Sequence, residues 1–164
     1  MEPLNDTHLA RFLRTGSVAG RLIYPGRPTP TVRAAAEVLG VEPGRILKSL
    51  VFLADGRPWL AVATGLAHLD PHLLAEAFGV ARRRVRLAAA TEAFEITGYQ
   101  VGAMPPFGHR RRLPTVVDES IVAGKVYYGG GGSGSVMLEL GAETLIAVTG
   151  AQQVPLTKEK AYDS

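Results

Sequence analysis

Lys48 is the single charged residue in the run Ile46 to Ala54 (ILKSLVFLA), which is otherwise apolar apart from Ser49. Lysine is almost never fully buried without a reason. The run has the composition of a strand, and side chains alternate across a strand. Ile46, Lys48 and Leu50 face one way, and Leu47, Ser49 and Val51 the other. Two roles fit this placement. On an edge strand Lys48 would be a solvated blocker of aggregation. On a strand lining a pocket it would present an ammonium from a rigid support.

Two loops carry further chemistry. Gly129, Gly131 and Gly134 satisfy Gly-x-Gly-x-x-Gly, but a dinucleotide fingerprint must open a helix after a strand. Here Ser135-Val136-Met137-Leu138-Glu139-Leu140 follows, which is strand-like, and no Gly-Lys-Ser/Thr is present. The run is either a flexible hairpin loop or a bare backbone surface whose amides could receive a phosphate, a carbonyl oxygen or an oxyanion. The second loop, Gly102 to His109 (GAMPPFGH), holds two consecutive prolines between glycines. Such a loop is stiff, which suits either a structural turn or a wall that sizes a small substrate. His109 precedes Arg110, Arg111 and Arg112, whose repulsion would lower its pKa if they lie close.

Other chemistries are excluded by what is missing. The chain has no cysteine, so disulfides, thiolate zinc sites, iron–sulfur clusters and cysteine nucleophiles are ruled out. His68 and His72 are four apart, but Asp70-Pro71 between them breaks the helix that would place both on one face of a zinc site. Gly131-Gly132-Ser133-Gly134-Ser135 misses a nucleophile elbow at its last position. No triad is visible, so catalysis would be positional and electrostatic, with no metal and no cofactor. The net charge is +3, and of the 18 cationic residues only Lys48, Lys125, Lys158 and Lys160 are lysines. Arg82, Arg83, Arg84 and Arg86 form one basic cluster, and Arg110, Arg111 and Arg112 another. Each is either a solvated face or a phosphate contact.

The elements that must position these groups follow from caps and periodicity. A chain of 164 residues is one ordinary domain. Helices are expected over Asn5 to Arg14, Val32 to Leu39 after a Thr31 cap, Asp70 to Phe78, Thr91 to Thr97, and Ala142 to Val148. Strands are expected over Arg21 to Tyr24, Ile46 to Ala54, Trp59 to Thr64, Val85 to Leu87, Thr115 to Val117, Lys125 to Tyr128, and Val136 to Leu140. Asp55-Gly56 is a hairpin signal, and the polar tail over 152–164 is expected to fray. Strands and helices intersperse without regular βαβ units. The fold class is therefore α+β, with a mixed curved sheet or partial β-barrel flanked by helices. No apolar run is long enough to span a membrane. The N-terminus has no basic or apolar leader, so a soluble cytoplasmic protein is expected.

Taken in order, the lysine strand within Thr31 to Phe52 (TVRAAAEVLGVEPGRILKSLVF), Thr97-Gly98-Tyr99, the Gly102 to His109 loop, Leu113 to Asp118 (LPTVVD) and the glycine loop before Val136 to Leu140 resemble the YbaK family. That family is the aminoacyl-tRNA deacylase domain related to the editing domain inserted in bacterial prolyl-tRNA synthetases. The resemblance covers about residues 27–151, within one domain spanning 1–164. It implies a free-standing trans-editing enzyme that hydrolyses the ester between tRNA and a small, wrongly attached amino acid. Alanine on a tRNA for proline is favoured over cysteine, serine and threonine, with prolyl-tRNA synthetase as a possible partner.

By matching position, Lys48 would be the family's essential lysine. Gly102, Ala103, Met104, Pro105 and Phe107 would form the loop beside the aminoacyl group. Gly131, Gly132, Ser133 and Gly134 would form a second glycine-rich wall. Many relatives have two adjacent glycines where this chain reads Gly102-Ala103-Met104. Gly102 or the glycine run would stabilise the oxyanion, with His109 and Asp118 in orienting roles. The two arginine clusters would contact the tRNA backbone. The alternatives are a YbaK-like module that binds tRNA or a synthetase without hydrolysis, and a nucleotide-binding regulator using the glycine loop.

Overall fold

The computed structural model describes residues 2–158. Local signals set the helices. Asn5 caps α1 (Asp6–Thr15), its side chain accepting from the Thr7 and His8 amides. Thr31 caps α2 (Val32–Leu39) through the Ala34 amide. Asp70 caps α3 (Pro71–Phe78), whose proline stands where an N–H would have no partner. Helices α4 (Ala90–Thr97) and α5 (Ala142–Thr149) complete the set. Among the described residues no helix is long and apolar enough to cross a membrane.

The strands are β1 (Gly20–Ile23), β2 (Leu47–Ala54), β3 (Arg57–Thr64), β4 (Val85–Leu87), β5 (Thr115–Asp118), β6 (Val126–Gly130), β7 (Met137–Gly141) and β8 (Gln152–Val154). They form a five-stranded sheet in the order β4-β2-β3-β5-β8 and a three-stranded sheet in the order β1-β7-β6. The β2–β3 hairpin pairs along its whole length across the Asp55-Gly56 turn. β5 runs parallel to β3, and β8 parallel to β5. Among the described residues one isolated parallel bridge, from Ile46 to Tyr128, links the two sheets. The mixed α+β arrangement expected from the sequence is therefore present, as two sheets that do not close into a barrel.

The main core contains Leu9 of α1, Val51, Leu60 and Val62 of the hairpin, Tyr99, Phe107, Leu138 and Leu145. Phe52, Phe78, Val116 and Leu156 form a second cluster under α3. Ala35 and Ala36 of α2 pack on Ile46 and Met137 in a third.

Two local expectations are corrected. Gly129 and Gly130 belong to β6, paired with Leu138 and Met137, so the glycine loop begins only at Gly131. The segment after Gly150, expected to fray, forms β8 and then buries Leu156 completely. Asp118 explains this, because its carboxylate accepts the Leu156 amide at 2.7 Å. The end of that tail, residues 159–164, lies outside the described residues.

Candidate functional site

A cavity of about 200 Å³ lies against the first half of β2, where residues 46–50 line it. Val32 and Ala35 of α2, Gly102 and Met104 of the proline-rich loop, Gly130 of β6 and Met137 of β7 supply other walls. Lys48 is opposite Ala63 on β3. On its other side β4 reaches only Phe52 to Ala54. Among the described residues no strand pairs with β2 at Lys48 on that side, between the Ile46–Tyr128 bridge and β4, and this local edge is part of the cavity lining.

The Lys48 side chain is half-buried. Its ammonium donates to the carbonyl oxygen of Ala67, in the segment between β3 and α3. Burial lowers its pKa from 10.5, since desolvation penalises the charged form. Among the described residues no carboxylate pairs with it. A carbonyl dipole can orient an ammonium but cannot neutralise it, so the cavity holds an unbalanced positive charge.

Gly102 has φ +93°, and a Cβ there would meet nothing within 4 Å. Its glycine identity answers to backbone conformation rather than to space. Among the described residues its N–H makes no hydrogen bond, whereas the next amide, Ala103, donates to Gln100 at 3.1 Å. The cavity wall therefore carries an exposed glycine whose donor is uncommitted.

The glycine run is occupied differently from its bare appearance in the sequence. A Cβ on Gly130 would fall 2.4 Å from the Met104 carbonyl oxygen, and one on Gly131 2.5 Å from the Val136 backbone. The Gly131 amide donates to Val136 at 3.0 Å and the Gly132 amide to Ala103 at 2.9 Å. These two buried amides are committed within the protein, which favours the hairpin-loop reading of the run over an amide surface open to an anion. Ser133 donates through Oγ to Asp6 at 2.8 Å. The Gly134 carbonyl accepts from the Thr29 amide at 3.1 Å. Of the run, Gly130 lines the Lys48 cavity, and Gly131 to Gly134 lie outside its lining.

The other expected residues separate spatially. Ala103, Pro105 and Phe107 are buried, with Phe107 stacked on Phe12 at 5.5 Å between ring centroids. His109 lines a second cavity, of about 110 Å³, together with Phe12, Phe107 and Arg112. Its Nε2 meets the Pro105 carbonyl at 2.7 Å. Its pKa is lowered below 6.5 by burial, opposed by that carbonyl; arginine repulsion, the cause anticipated from sequence, has no part. Asp118 is almost fully buried and accepts from the Ser120 amide and hydroxyl as well as from Leu156. It ties down the C-terminal segment and lies outside the Lys48 cavity lining.

The arginines are likewise divided. Arg84 pairs with Asp55 at 2.7 Å, and Arg86 holds Glu92 with two bonds of 2.8 Å. That guanidinium, helped by the Ala89 amide, holds Glu92 down to about 2. Arg110 donates to the Glu2 carbonyl, and Arg112 to those of Val148 and Thr149. Among the described residues Arg82, Arg83 and Arg111 have no such partner. Arg86 is opposite Leu53, five residues along β2 from Lys48, or about 17 Å at strand rise.

Sequence reasoning missed the Ala67 carbonyl, which no pattern announces, and the walls from Val32, Ala35 and Met137. The Met137 wall had a faint signal, an apolar residue just after a glycine loop. Among the described residues no group of three His, Asp or Glu could hold a metal ion.

Comparison with known proteins places this geometry in context. The model of the aminoacyl-tRNA editing domain family matches residues 26–148. A protein of Enterococcus faecalis named "Putative Cys-tRNA(Pro)/Cys-tRNA(Cys) deacylase EbsC" is 29% identical over 131 residues, 79% of each chain. The crystal structure of "a putative trans-editing enzyme for prolyl tRNA synthetase" superposes with a TM-score of 0.82 at 29% identity, covering 94% of this chain and 97% of that one. That of a hypothetical protein superposes with a TM-score of 0.85 at 33% identity, covering 92% and 99%.

Proposed function

Since the chain belongs to the aminoacyl-tRNA editing domain family, we propose that it is a free-standing trans-editing deacylase whose active centre is the Lys48 cavity. It hydrolyses the ester bond of aminoacyl-tRNA, a reading supported by the family match and by the deacylase and trans-editing names of its relatives. The observation that carries the assignment of the site is the unneutralised, half-buried Lys48 ammonium in a cavity with an uncommitted Gly102 amide.

The mechanism needs no nucleophilic side chain, because an aminoacyl ester is already activated. Lys48 binds the terminal adenosine or its phosphate and fixes the acyl group. Water adds to the ester carbonyl, and the Gly102 amide stabilises the resulting oxyanion. The carbon–oxygen bond to the ribose then breaks, the ribose oxygen leaves as a hydroxyl, and the free amino acid departs. The neighbouring ribose hydroxyl assists the attacking water. His109 acts only through the loop, by holding Pro105.

The apolar walls from Val32, Ala35, Ile46, Met104 and Met137 fit a small side chain. A small pocket excludes larger residues well and smaller ones poorly. Alanine on a tRNA for proline is the favoured cargo, with serine and threonine as further candidates because Thr29, Thr31 and Ser49 also line the cavity. Cysteine is the second reading, favoured by the name of the Enterococcus relative. Arg82 and Arg83 are the tRNA-backbone contacts least committed elsewhere. The whole chain acts as one cytoplasmic domain, with a prolyl-tRNA synthetase as partner. The test is a deacylation panel of alanyl-, cysteinyl-, seryl-, threonyl- and prolyl-tRNA with wild type and Lys48→Ala. Hydrolysis lost in the variant supports the reading; affinity for tRNA without product in the wild type establishes a binding module instead.

A further inference from the structure

The segment before residue 26, where the family match begins, supports the back of the proposed site. The first turn of α1 meets the glycine loop through Asp6. Its Oδ1 accepts from Ser133 Oγ at 2.8 Å, its amide donates back to that oxygen at 3.2 Å, and its Oδ2 accepts from Tyr24 at 3.0 Å. A Cβ on Gly132 would fall 2.8 Å from the Asn5 backbone, so helix and loop are in backbone contact. The next contact leads inward, as the Gly132 amide donates to the Ala103 carbonyl at 2.9 Å. Ala103 sits between Gly102 and Met104, two walls of the Lys48 cavity. Further along, α1 stacks Phe12 on Phe107 and presses Leu9 and Phe12 on Gly108.

We propose that Asp6 is a positioning residue of the editing site: by latching Ser133 it holds the Gly130–Gly132 backbone against Ala103 and so sets the width of the Lys48 cavity. The Asp6–Ser133 pair is a charge-assisted bond, stronger than a neutral one. Ser133 bonding keeps the Asp6 carboxyl below its usual 3.8, so the latch is ionised at neutral pH. The role rests on the deacylase reading above, because width matters there as discrimination between amino acids. Nothing in the latch touches substrate. Its effect reaches the cavity through the Gly132–Ala103 bond and the Gly130–Met104 backbone contact, and through the Thr29 amide on the Gly134 carbonyl.

The test uses the full chain with Asp6→Ala, Ser133→Ala, the double variant and Asp6→Asn. Two quantities are read: hydrogen exchange of the Gly132 amide, which donates to the Ala103 carbonyl, and the ratio of kcat/KM for alanyl- over prolyl-tRNA. Both single alanine variants should quicken Gly132 exchange about tenfold, the effect of losing roughly one good hydrogen bond. They should also lower the discrimination ratio several-fold. The double variant should do little more than either single one, since both remove the Asp6–Ser133 bond. Asp6→Asn keeps an acceptor for Ser133 and should fall between. Exchange that quickens only within residues 5–15 overturns the proposal, as does quickened Gly132 exchange with unchanged discrimination. Should the wild type hydrolyse none of the panel, the deacylase reading fails by itself. Gly132 exchange still decides whether the latch holds the glycine loop against the cavity wall.

Discussion

The Lys48 ammonium donates to the carbonyl oxygen of Ala67 and, among the described residues, pairs with no carboxylate. The carbonyl aims the ammonium and leaves its charge available. A phosphate or carbonyl oxygen entering the cavity would gain an interaction already desolvated and oriented. This arrangement distinguishes Lys48 from a surface lysine that merely protects a strand edge.

Replacing Lys48 with Met should abolish deacylation, with kcat/KM falling at least about a hundredfold, the loss typical of one removed electrostatic contact. Thermal stability should change little, because the variant removes both the desolvation cost of a half-buried ammonium and its bond to the Ala67 carbonyl. The two outcomes together separate a functional lysine from a structural one. Measured Tm and single-turnover hydrolysis decide it.

Gly130→Ala should damage both fold and site. Its Cβ would fall 2.4 Å from the Met104 carbonyl oxygen and 2.8 Å from that of Ala103. Overpacking of this kind costs typically about 1–3 kcal/mol. Denaturant titration should show a lower midpoint at an unchanged slope, with weakened activity in the folded fraction. Gly102→Ala meets no such clash, and its strain comes from φ alone, about 1–2 kcal/mol.

Asp118→Ala should destabilise by about 2–4 kcal/mol, since removing the carboxylate strands a buried Leu156 amide and the Ser120 donors. The remaining folded protein should keep its kcat/KM within about twofold. A large loss of kcat/KM at unchanged stability would instead assign Asp118 to substrate.

His109 links stability to acid pH. Burial lowers its folded pKa below 6.5, so the unfolded chain takes up a proton first as pH falls. Its contribution is complete above about 6.5 and is lost toward the folded pKa, at no more than about 1.4 kcal/mol per pH unit. Tm measured from roughly pH 7.5 to 5 should fall more for wild type than for His109→Gln.

The two arginine groups should behave differently in salt. Arg82→Ala with Arg83→Ala should weaken tRNA binding and flatten log Kd against log salt by roughly 1 for each phosphate left unneutralised. Arg112→Ala should mainly lower stability, by about 1 kcal/mol, because it removes donors from the Val148 and Thr149 carbonyls. Fluorescence titration at several salt concentrations, beside Tm, separates the two.

Much of the fold was legible because its signals are local. Thr31, Asp70-Pro71 and Asp55-Gly56 each specify a cap or turn within four residues, and the structure places helices and a hairpin where they stand. The lysine in an apolar strand was equally plain, since strand composition and one discordant charge are properties of adjacent residues. The glycine run was legible as either a flexible hairpin loop or a bare amide surface, and the sequence held nothing to choose between them. A glycine needed for close backbone contact looks, in sequence, the same as one needed for a ligand. β8 was missed because Gln152 and Gln153 have no strand signal of their own; their pairing depends on β5 and on Asp118, far earlier in the chain.

The sequence by itself determined the order of the helices and strands as far as α5, the absence of thiol chemistry and the candidate lysine, because composition, caps and periodicity act over a few residues. The tertiary structure alone decided that Lys48 meets Ala67, that His109 faces a different cavity, and that Asp6 reaches Ser133 across 127 positions. Those relations depend on chain packing between distant segments, where hydrogen-bond geometry and close backbone approach, rather than residue type, choose the partner.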